Sequence, residues 1–349
     1  MAEASVEAVS TSLAAHTTLR VGGPARRVLV RADEAALVQT VRELDAAGEP
    51  VLVLGGGSNV LVGDEGFDGT VVKVATRGVA EDVAACSGAV LTVAAGEPWE
   101  DLVRHTLEHE YAGLETLAGI PGSVGGTPIQ NVGAYGTEVG QLITTVRTLD
   151  RSTGAIRTFF AVECQFGYRS SRFKSEPGRH LVLAVTFQLK LGSLSAPVRY
   201  PELARALGIA VGERAPARDV AEAVLALRRG KGMVLDDADP DTWSAGSFFT
   251  NPVLAPAQAD ALPADAPRFP QPDGRVKTSA AWLIERAGYG RGFGEGPARV
   301  SDKHSLALTN RGSARASDLL RLARQIRAGV ESTYGITLVP EPVLVGCEL

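Results

Sequence analysis

Two glycine-rich segments constrain what this chain can fold into more than any other feature. The first, Gly55–Asn59, directly follows an apolar run, Val51–Leu54, and the second spans Gly119–Gly126. Consecutive small residues after a buried strand let backbone N–H groups converge on an anion. Ser58 adds a hydroxyl donor, and Asn59 can take a left-handed conformation. Two such segments favour a pyrophosphate-binding cradle, although each could be only a tight turn.

The spacing within these segments excludes the common phosphate-binding patterns. Position 60 is Val60, where a Rossmann fingerprint that starts at Gly55 needs a third glycine. Neither segment closes with the Gly-Lys-Ser/Thr of a P-loop, and neither contains the G-x-S-x-G of a serine-hydrolase elbow. The sequence therefore predicts a dinucleotide site of another type.

Short apolar runs alternate with helical patterns from Thr18 to about Lys190, which predicts an α/β or α+β region. The expected strands are Arg27–Val30, Val51–Leu54 (buried on both faces), Thr70–Val74, Val90–Val93, Val146–Leu149 and Leu181–Leu189, and the expected helices are Glu34–Ala47, ended by Gly48, and Trp99–Glu110. A length of 349 residues indicates two domains, with room for a third small unit.

The composition shifts near Gly192, and we interpret residues 196 to 334 as a second domain. It is expected to contain helices Val220–Arg229 and Ser317–Ser332 and an Ala/Pro-rich loop, Ala255–Pro272. The tail Ile336–Val345 is typical of strands broken by two prolines.

Charge and cysteine content narrow the class of protein. The net charge of −5 argues against a general nucleic-acid binder. Cys86, Cys164 and Cys347 are odd in number and far apart, which favours free thiols in a reduced, cytoplasmic protein. Residues 1–12 lack the pattern of a signal peptide, and no apolar run approaches the ~20 residues that cross a bilayer. We therefore expect neither a nucleic-acid nor a membrane partner.

Three segments carry residues that could do chemistry. In Phe166–Lys174, cations interleave with aromatics, so Arg169 could clamp a carboxylate or phosphate, or belong to a solvated basic loop. Ser247, within Gly246–Pro252, could donate a proton from an apolar wall or be a satisfied strand hydroxyl. Glu341, between two prolines, could be a general acid, an orienting acceptor or a surface charge.

The segment His105–His109 matches the inverted zinc-protease pattern H-x-x-E-H. The helix around it is expected to bury Trp99, Leu102, Val103 and Leu107, which leaves both histidines on its polar flank. No third ligand is evident, so we expect no metal site here.

Taken together and in this order, the motifs resemble those of the UDP-N-acetylenolpyruvoylglucosamine reductase (MurB) family. The resemblance runs from about Thr18 to Gly346 and rests on Leu54–Leu61, Gly119–Gly126, Pro128–Gly136, Phe166–Ser170, Gly246–Pro252 and Pro340-Glu341. Residues 1–9 match nothing in the family, and the loop at 255–272 has no role that we can assign.

The resemblance implies an α+β fold, with an FAD-binding domain of the PCMH (vanillyl-alcohol-oxidase-like) type and a smaller α+β substrate-binding domain. We expect the first at residues 1–193, the second at 194–335, and C-terminal strands at 336–349 that return Glu341 to the active site. The implied cofactors are noncovalent FAD and NADPH as reductant, with a UDP-sugar substrate, in a monomeric cytoplasmic enzyme of peptidoglycan synthesis.

The implied reaction passes hydride from reduced flavin to C3 of the enolpyruvyl group on UDP-N-acetylglucosamine and a proton to C2, which yields UDP-N-acetylmuramate. By position, Ser247 resembles the proton donor, and Arg169 and Glu341 resemble the pair that polarises the substrate carboxylate. The implied cofactor-binding residues are Gly55, Gly56, Gly57, Ser58, Asn59, Gly119, Ile120, Pro121, Gly122, Ser123, Gly125 and Gly126. The implied substrate contacts are Tyr168, Tyr200, Lys231, Asn251 and His304.

Within this set, the motif around Lys231 is only loosely patterned in the family. The Tyr200 segment resembles the longer family type, whose tyrosine-bearing loop folds over the substrate.

Two rival functions stay open at this point. Another PCMH-type flavin oxidoreductase would in many cases hold its flavin covalently, but no histidine adjoins either glycine segment. A UDP-sugar binding protein without catalysis is the other, and the joint presence of Ser247, Arg169 and Glu341 argues against it.

Overall fold

The structure is a computed structural model that describes residues 10–349. Residues 1–9, which match nothing in the family, and most of the segment tested for a signal peptide lie outside the described residues. The α-helices are α1 (Glu34–Ala46), α2 (Trp99–Glu108), α3 (Arg172–Ser175), α4 (Pro201–Leu207), α5 (Ala217–Gly230), α6 (Pro256–Asp260), α7 (Ala280–Arg286) and α8 (Ala316–Tyr334). No helix among residues 10–349 is long and apolar enough to cross a bilayer.

The strands are short and spread over the whole described chain. They are β1 (Ala25–Arg31), β2 (Val51–Leu54), β3 (Val60–Val62), β4 (Phe67–Val74), β5 (Val79–Ala84), β6 (Gly88–Ala94), β7 (Tyr111–Ala112), β8 (Gly133–Ala134), β9 (Thr137–Glu138), β10 (Ile143–Asp150), β11 (Ala155–Phe160), β12 (His180–Leu191), β13 (Val253–Leu254), β14 (Phe269–Pro270), β15 (Val276–Lys277), β16 (Ala298–Val300), β17 (Leu308–Asn310) and β18 (Val343–Val345). Short 3₁₀ segments lie at Leu13–His16, Glu115–Leu117, Val124–Gly126, Val139–Gln141, Ala161–Cys164 and Pro240–Thr242.

The chain divides into two compact units. Unit 1 contains Ala25–Gly57 and Asp68–Gly230, and unit 2 contains Ser12–Pro24, Ser58–Phe67 and Lys231–Leu349. The helices α4 and α5 belong to unit 1, where α5 packs on the 3₁₀ segment before the second glycine segment. The domain boundaries expected at 193/194 and 335/336 stay predictions.

The main sheet of unit 1 has the strand order β11-β10-β12-β6-β5, and β7 pairs with the end of β12. All of its pairings are antiparallel. Trp99, Phe159 and Phe187 are fully buried in the core of the unit. The Trp99 indole N–H donates to the Leu117 carbonyl at 3.0 Å, which fixes α2 beside the segment that leads into Gly119.

A smaller sheet, in the order β1-β4-β2, carries the first glycine segment at the end of β2. The expectation that β2 is buried on both faces is wrong, because Val51, Leu52 and Val53 are only half-buried. The strand lies at the edge of its sheet and pairs in parallel with β4. Val51 and Val53 pack against the core, and this one-sided burial suffices to explain the apolar run.

Helix α1 forms where the sequence predicts it, since a capping residue precedes its first turn and a glycine follows its last turn. The Asp33 side chain accepts from the Ala36 N–H at 2.8 Å, which caps the first turn. Gly48 takes a φ of 66° just past the C-terminus, where glycine is favoured.

Unit 2 is built around α8, which buries Leu319, Leu320, Leu322, Ala323, Ile326 and Val330. Asp64 accepts hydrogen bonds from the Ala316 and Ser317 N–H groups at 2.7 and 3.2 Å, so it caps this helix. Next to Asp64, β3 pairs in parallel with β18. The loop after the first glycine segment is thereby tied to the end of the chain.

Three boundary predictions are wrong in part. Helix α2 ends at Glu108, because Glu110 has a φ of 55°, and it buries Thr106 where Leu107 was expected. Ala255–Pro272 is not simply a loop, since Pro256 starts the short helix α6 and β14 follows. In the tail only Val343–Val345 forms a strand, while Pro340 makes a single bridge to Phe249.

Candidate active site

Gly55 and Gly56 of the first glycine segment lie against the second segment, and all of these residues belong to unit 1. A Cβ added to Gly56 would come within 2.6 Å of the Gly122 Cα, and one added to Gly55 within 2.5 Å of the Ser123 Oγ. At Gly56 the obstacle is backbone, so this contact requires glycine, whereas a Cβ at Gly55 would require only that the Ser123 hydroxyl rotate away. The predicted pairing of the two segments is therefore present in the fold.

Several N–H groups of the second segment are already used within the protein. The Gly119 N–H donates to the Glu100 carboxylate at 2.7 Å, the Gly125 N–H to the Ala95 carbonyl at 2.8 Å, and the Gly126 N–H to the Ser123 carbonyl at 3.0 Å. These three glycines shape the turn through hydrogen bonds and close packing. An anion at this turn needs other donors, among them the Ser123 hydroxyl that faces Gly55.

Asn59 differs from its predicted conformation. Among residues 10–349, the non-glycine residues with positive φ do not include Asn59, and Gly57 takes the left-handed φ of 64° in this turn. The Asn59 side-chain amide instead donates to the Glu341 carbonyl at 3.3 Å, and its own carbonyl accepts from the Val343 N–H at 3.0 Å. Asn59 directly precedes β3, the strand that pairs with β18 in the C-terminal tail, and both of these hydrogen bonds continue that pairing.

Arg169 stands at the tip of a tight turn in unit 1. Gly167 and Ser170 exchange two backbone hydrogen bonds of 3.0 and 3.1 Å around it, and Arg169 has a φ of 50°. Its guanidinium lies 5.6 Å from the Tyr168 ring centroid and donates to the Gly133 carbonyl at 2.8 Å. The side chain is half-buried, so of the two interpretations of this loop a positioned cation fits better than a solvated one.

Ser247 and Glu341 are brought together in unit 2 although they are distant in sequence. The Glu341 N–H donates to the Phe248 carbonyl at 2.8 Å, and Phe249 bridges to Pro340. On the other side, Ser247 bridges to Ala307. Phe248 and Phe249 are almost completely buried, whereas Ser247 and Glu341 are half-buried. The serine and the carboxylate thus stand on neighbouring backbone segments with an apolar layer beneath them.

The Ser301–Ala307 loop that supports Ser247 is anchored by a buried carboxylate. Asp241 accepts from the Ser301 hydroxyl at 3.0 Å and forms an ion pair with Arg311. The Ser301 Oγ in turn accepts from the His304 N–H at 3.2 Å, which fixes the backbone of that predicted substrate contact. Beside it, the salt bridge to Asp239 raises the pKa of Lys303.

The other predicted substrate contacts are placed as follows. The Asn251 Oδ1 accepts from the Ala280 N–H at 2.9 Å, so this side chain also holds the first turn of α7. Lys231 is half-buried at the start of the long C-terminal part of unit 2. In unit 1, Tyr200 precedes α4, is 40% exposed, and packs edge-on to Tyr135 at 5.3 Å between ring centroids.

The two histidines of the H-x-x-E-H motif pack against neighbouring rings, and one of them pairs with a carboxylate. His105 Nε2 lies 2.5 Å from the Glu81 carboxylate, and the Tyr111 hydroxyl donates to the same carboxylate at 3.0 Å. Within residues 10–349 no three histidine, cysteine or acidic side chains are grouped to hold a metal ion. The three cysteines are free, as expected, and burial raises the pKa of the Cys164 thiol to about 12.

Asn131 and Glu138, which the motifs did not single out, support the Arg169 turn. The Asn131 amide donates to Glu138 Oε2 and to the Gly167 carbonyl, at 2.8 and 3.0 Å. Asn131 lies in the Pro128–Gly136 motif, so a signal was present, but nothing in the sequence tied this asparagine to a segment more than thirty residues away.

Comparisons with known proteins identify the family. Residues 25–159 match the FAD binding domain family, and residues 239–345 match the family described as UDP-N-acetylenolpyruvoylglucosamine reductase, C-terminal domain. A UDP-N-acetylenolpyruvoylglucosamine reductase of Cutibacterium acnes is 60% identical, over 97% of this chain and 90% of that protein. The chain belongs to the UDP-N-acetylenolpyruvoylglucosamine reductase (MurB) family.

Other relatives agree with this assignment. The UDP-N-acetylenolpyruvoylglucosamine reductase of Streptomyces coelicolor is 53% identical, over 97% of this chain and 90% of that protein. The crystal structure of UDP-N-acetylenolpyruvylglucosamine reductase (MurB) from Thermus caldophilus matches with a TM-score of 0.65 and 26% identity, and covers 97% of this chain and 99% of that chain. The expected family, fold class, oxidoreductase class and cofactors, FAD with NADPH, are confirmed.

Proposed function

We propose that this chain reduces the enolpyruvyl group of UDP-N-acetylglucosamine enolpyruvate to UDP-N-acetylmuramate, with NADPH as reductant, in peptidoglycan precursor synthesis. Beyond family membership, one observation carries the proposal. The Glu341 N–H binds the Phe248 carbonyl at 2.8 Å, which sets the Ser247 segment beside Glu341 above a buried aromatic layer. Protonation of a substrate carbon requires a positioned proton donor, and the carboxylate on the adjacent segment is placed to orient it.

The glycine segments fit a dinucleotide such as FAD. Gly56 packs on Gly122 too closely to admit a Cβ, and Gly55 faces the Ser123 hydroxyl, so the two turns bring backbone and hydroxyl groups together. Ser58 and Ser123 are the hydroxyl donors that we assign to its pyrophosphate. Bound there, FAD would supply the hydride chemistry that links oxidation of NADPH to reduction at C3 of the enolpyruvyl group.

Side chains of this protein supply the proton for C2 and stabilise the negative charge that develops on the substrate. Addition of hydride at C3 leaves an electron pair at C2, and the Ser247 hydroxyl gives its proton there to complete the new C–H bond. Solvent returns a proton to the serine oxygen. Arg169 faces the substrate carboxylate, where the negative charge develops, so it stabilises the transition state more than the ground state. We assign to Glu341, which lies beside the Ser247 segment, the role of orienting the groups around the proton donor.

The substrate contacts complete the proposal. Tyr168, Tyr200, Lys231 and His304 bind the UDP-sugar. Because the Asn251 carbonyl oxygen is used by the Ala280 N–H, Asn251 binds the substrate through its amide N–H₂ group. Lys231 supplies a cation for the diphosphate.

The test is a comparison of half-reactions with Ser247→Ala. We expect the purified chain to be yellow and to consume NADPH only when the enolpyruvyl substrate is present. In Ser247→Ala, NADPH still reduces the flavin, while reoxidation by substrate slows by about 100-fold or more, as expected for loss of a positioned acid. Ser332→Ala, an exposed serine of α8, is the control and keeps both rates.

The possible outcomes separate the alternatives. Equal slowing of both half-reactions in Ser247→Ala contradicts the proton-donor role. A chain that binds UDP-sugars but neither holds flavin nor consumes NADPH is a binding protein, and the proposed activity then fails.

A further inference from the structure

We infer that Asn131 is a positioning residue for Arg169, acting together with Glu138. The inference rests on the proposed role of Arg169 and names the part of unit 1 that holds this side chain in place. Asn131 itself is 1% exposed and therefore contacts no ligand directly.

The Asn131 amide joins three segments of the chain. Its N–H₂ group donates to the Gly167 carbonyl at 3.0 Å and to Glu138 Oε2 at 2.8 Å, and its oxygen accepts from the Gly140 N–H at 2.9 Å. Gly167 is the first residue of the turn that carries Arg169. Through a single buried side chain, the Arg169 turn is therefore fixed to the loop at 138–140.

The backbone of the Arg169 turn needs such support. Arg169 has a φ of 50°, a left-handed conformation that is unfavourable for a residue with a side chain. The turn is closed by Gly167 and Ser170 and is held from outside by the Asn131 amide. Asn131 also has a left-handed φ, of 48°, which asparagine tolerates better than most residues.

Glu138 and the Arg169 guanidinium approach the same point of the chain. A Cβ added to Gly133 would lie 3.0 Å from the Glu138 Cγ and 3.2 Å from Arg169 Nη1, and Arg169 Nη2 donates to the Gly133 carbonyl at 2.8 Å. The amide of Asn131 therefore orients both the turn that carries the guanidinium and the carboxylate next to it. Loss of the amide should displace the Arg169 guanidinium, and a displacement of about 1 Å can lower a rate 100-fold.

The chemistry requires asparagine here and not aspartate. Both acceptors, the Gly167 carbonyl and the Glu138 carboxylate, need a donor. Aspartate has almost the same shape but offers no N–H, and it would set a second negative charge beside Glu138.

The experiment compares Asn131→Asp and Asn131→Gly with Asn310→Asp. Glycine tolerates the left-handed backbone, so Asn131→Gly removes the amide without new strain. It replaces Asn131→Asp in the experiment if the aspartate variant does not fold. Asn310 is the matched control, since it is 2% exposed and its amide is likewise held by hydrogen bonds, four of them to backbone groups, but in unit 2.

The decisive measurement is the calorimetric affinity of each holoenzyme for two sugars. UDP-N-acetylmuramate carries the carboxylate that Arg169 is proposed to bind, and UDP-N-acetylglucosamine lacks it. In both Asn131 variants we expect affinity for the first to fall about tenfold and affinity for the second to stay the same, as for loss of one charged hydrogen bond. Flavin reduction by NADPH is retained, and reoxidation by substrate slows. Asn310→Asp keeps the affinity ratio.

Three outcomes decide the inference. If the Asn131 effect on the affinity ratio disappears in an Arg169→Ala background, Asn131 acts through Arg169. If the Asn131 variants lower the affinity for both sugars equally, the residue is merely structural and the inference is overturned. The same holds if an Asn131 substitution changes the affinity ratio as much in the Arg169→Ala background as in the wild type. If Arg169→Ala leaves the ratio unchanged, the proposed role of Arg169 fails, and this inference fails with it.

Discussion

Gly56 lies where the first glycine segment touches the second, within unit 1, and one methyl group is enough to test that contact. Gly56→Ala would press a Cβ to 2.6 Å from the Gly122 Cα, so the segments must separate. We expect at least a tenfold loss of FAD affinity, since a displacement of about 1 Å at a preorganised site costs this much or more. The measurement is titration of the apoprotein with FAD. Gly290→Ala, where a Cβ has room, should bind FAD normally; equal affinities in both variants would refute the steric argument.

Single residues also show what a sequence can and cannot tell. The small residues of the two glycine segments indicated tight backbone turns, and Gly56 and Gly122 do pack closely together; that they bind a pyrophosphate stays a prediction. The conformation of Asn59 could not be predicted, since its pairing with Glu341 depends on a tail almost three hundred residues away. The same holds for Asn131, whose partners at Glu138 and Gly167 are set by the folded loops.

At the scale of elements, helices with marked ends were predicted well and edge strands poorly. Asp33 and Gly48 delimit α1, and both signals are local. The apolar run of β2 indicated a strand correctly, but its place at the edge of a sheet depends on pairing with β4 and could not be deduced. The five-residue helix α6 is too short to show a helical period, so a loop was predicted there.

Asp150 joins two elements of unit 1, and its charge predicts a pH dependence. It ends β10, accepts from Ser152 in the following turn at 2.6 Å, and accepts from Arg179, just before β12, at 2.9 Å. The Arg179 guanidinium and the Ser152 hydroxyl hold the pKa of this buried carboxyl well below its usual value. A folded-state pKa below the unfolded one stabilises the fold above the unfolded pKa of about 3.9, and the benefit is lost as pH falls below it.

We therefore expect Asp150→Asn to lower the free energy of unfolding by about 2 kcal/mol at pH 7, as for loss of charged hydrogen bonds. The difference from wild type should shrink as the pH is lowered below about 4. Urea unfolding at several pH values measures both. The control is Asp68→Asn, which breaks an exposed pair with Arg26 and should cost at most about 1 kcal/mol. A loss for Asp150→Asn that is constant down to pH 2 would show that its charge is not the cause.

At the scale of the whole molecule, the two units are interleaved in sequence. The chain leaves unit 1 within the first glycine segment, between Gly57 and Ser58, and returns to it at Asp68. Composition could reveal that there is more than one core, but not that a ten-residue segment crosses over, since this segment is too short to carry a signal of its own. The consequence concerns how unit 2 folds.

The core of unit 2 depends on these early segments. Leu19, Val21 and Leu61 are buried in it, β3 is the parallel partner of β18, and Asp64 caps α8. A fragment of residues 231–349 lacks all of them, so it exposes one side of its core and leaves the first N–H groups of its longest helix without their cap. We expect this fragment to show no cooperative thermal transition. The same fragment joined through flexible linkers to residues 12–24 and 58–67 should regain one, as followed by circular dichroism. Cooperative unfolding of 231–349 alone would mean that the crossing segments add little to its stability.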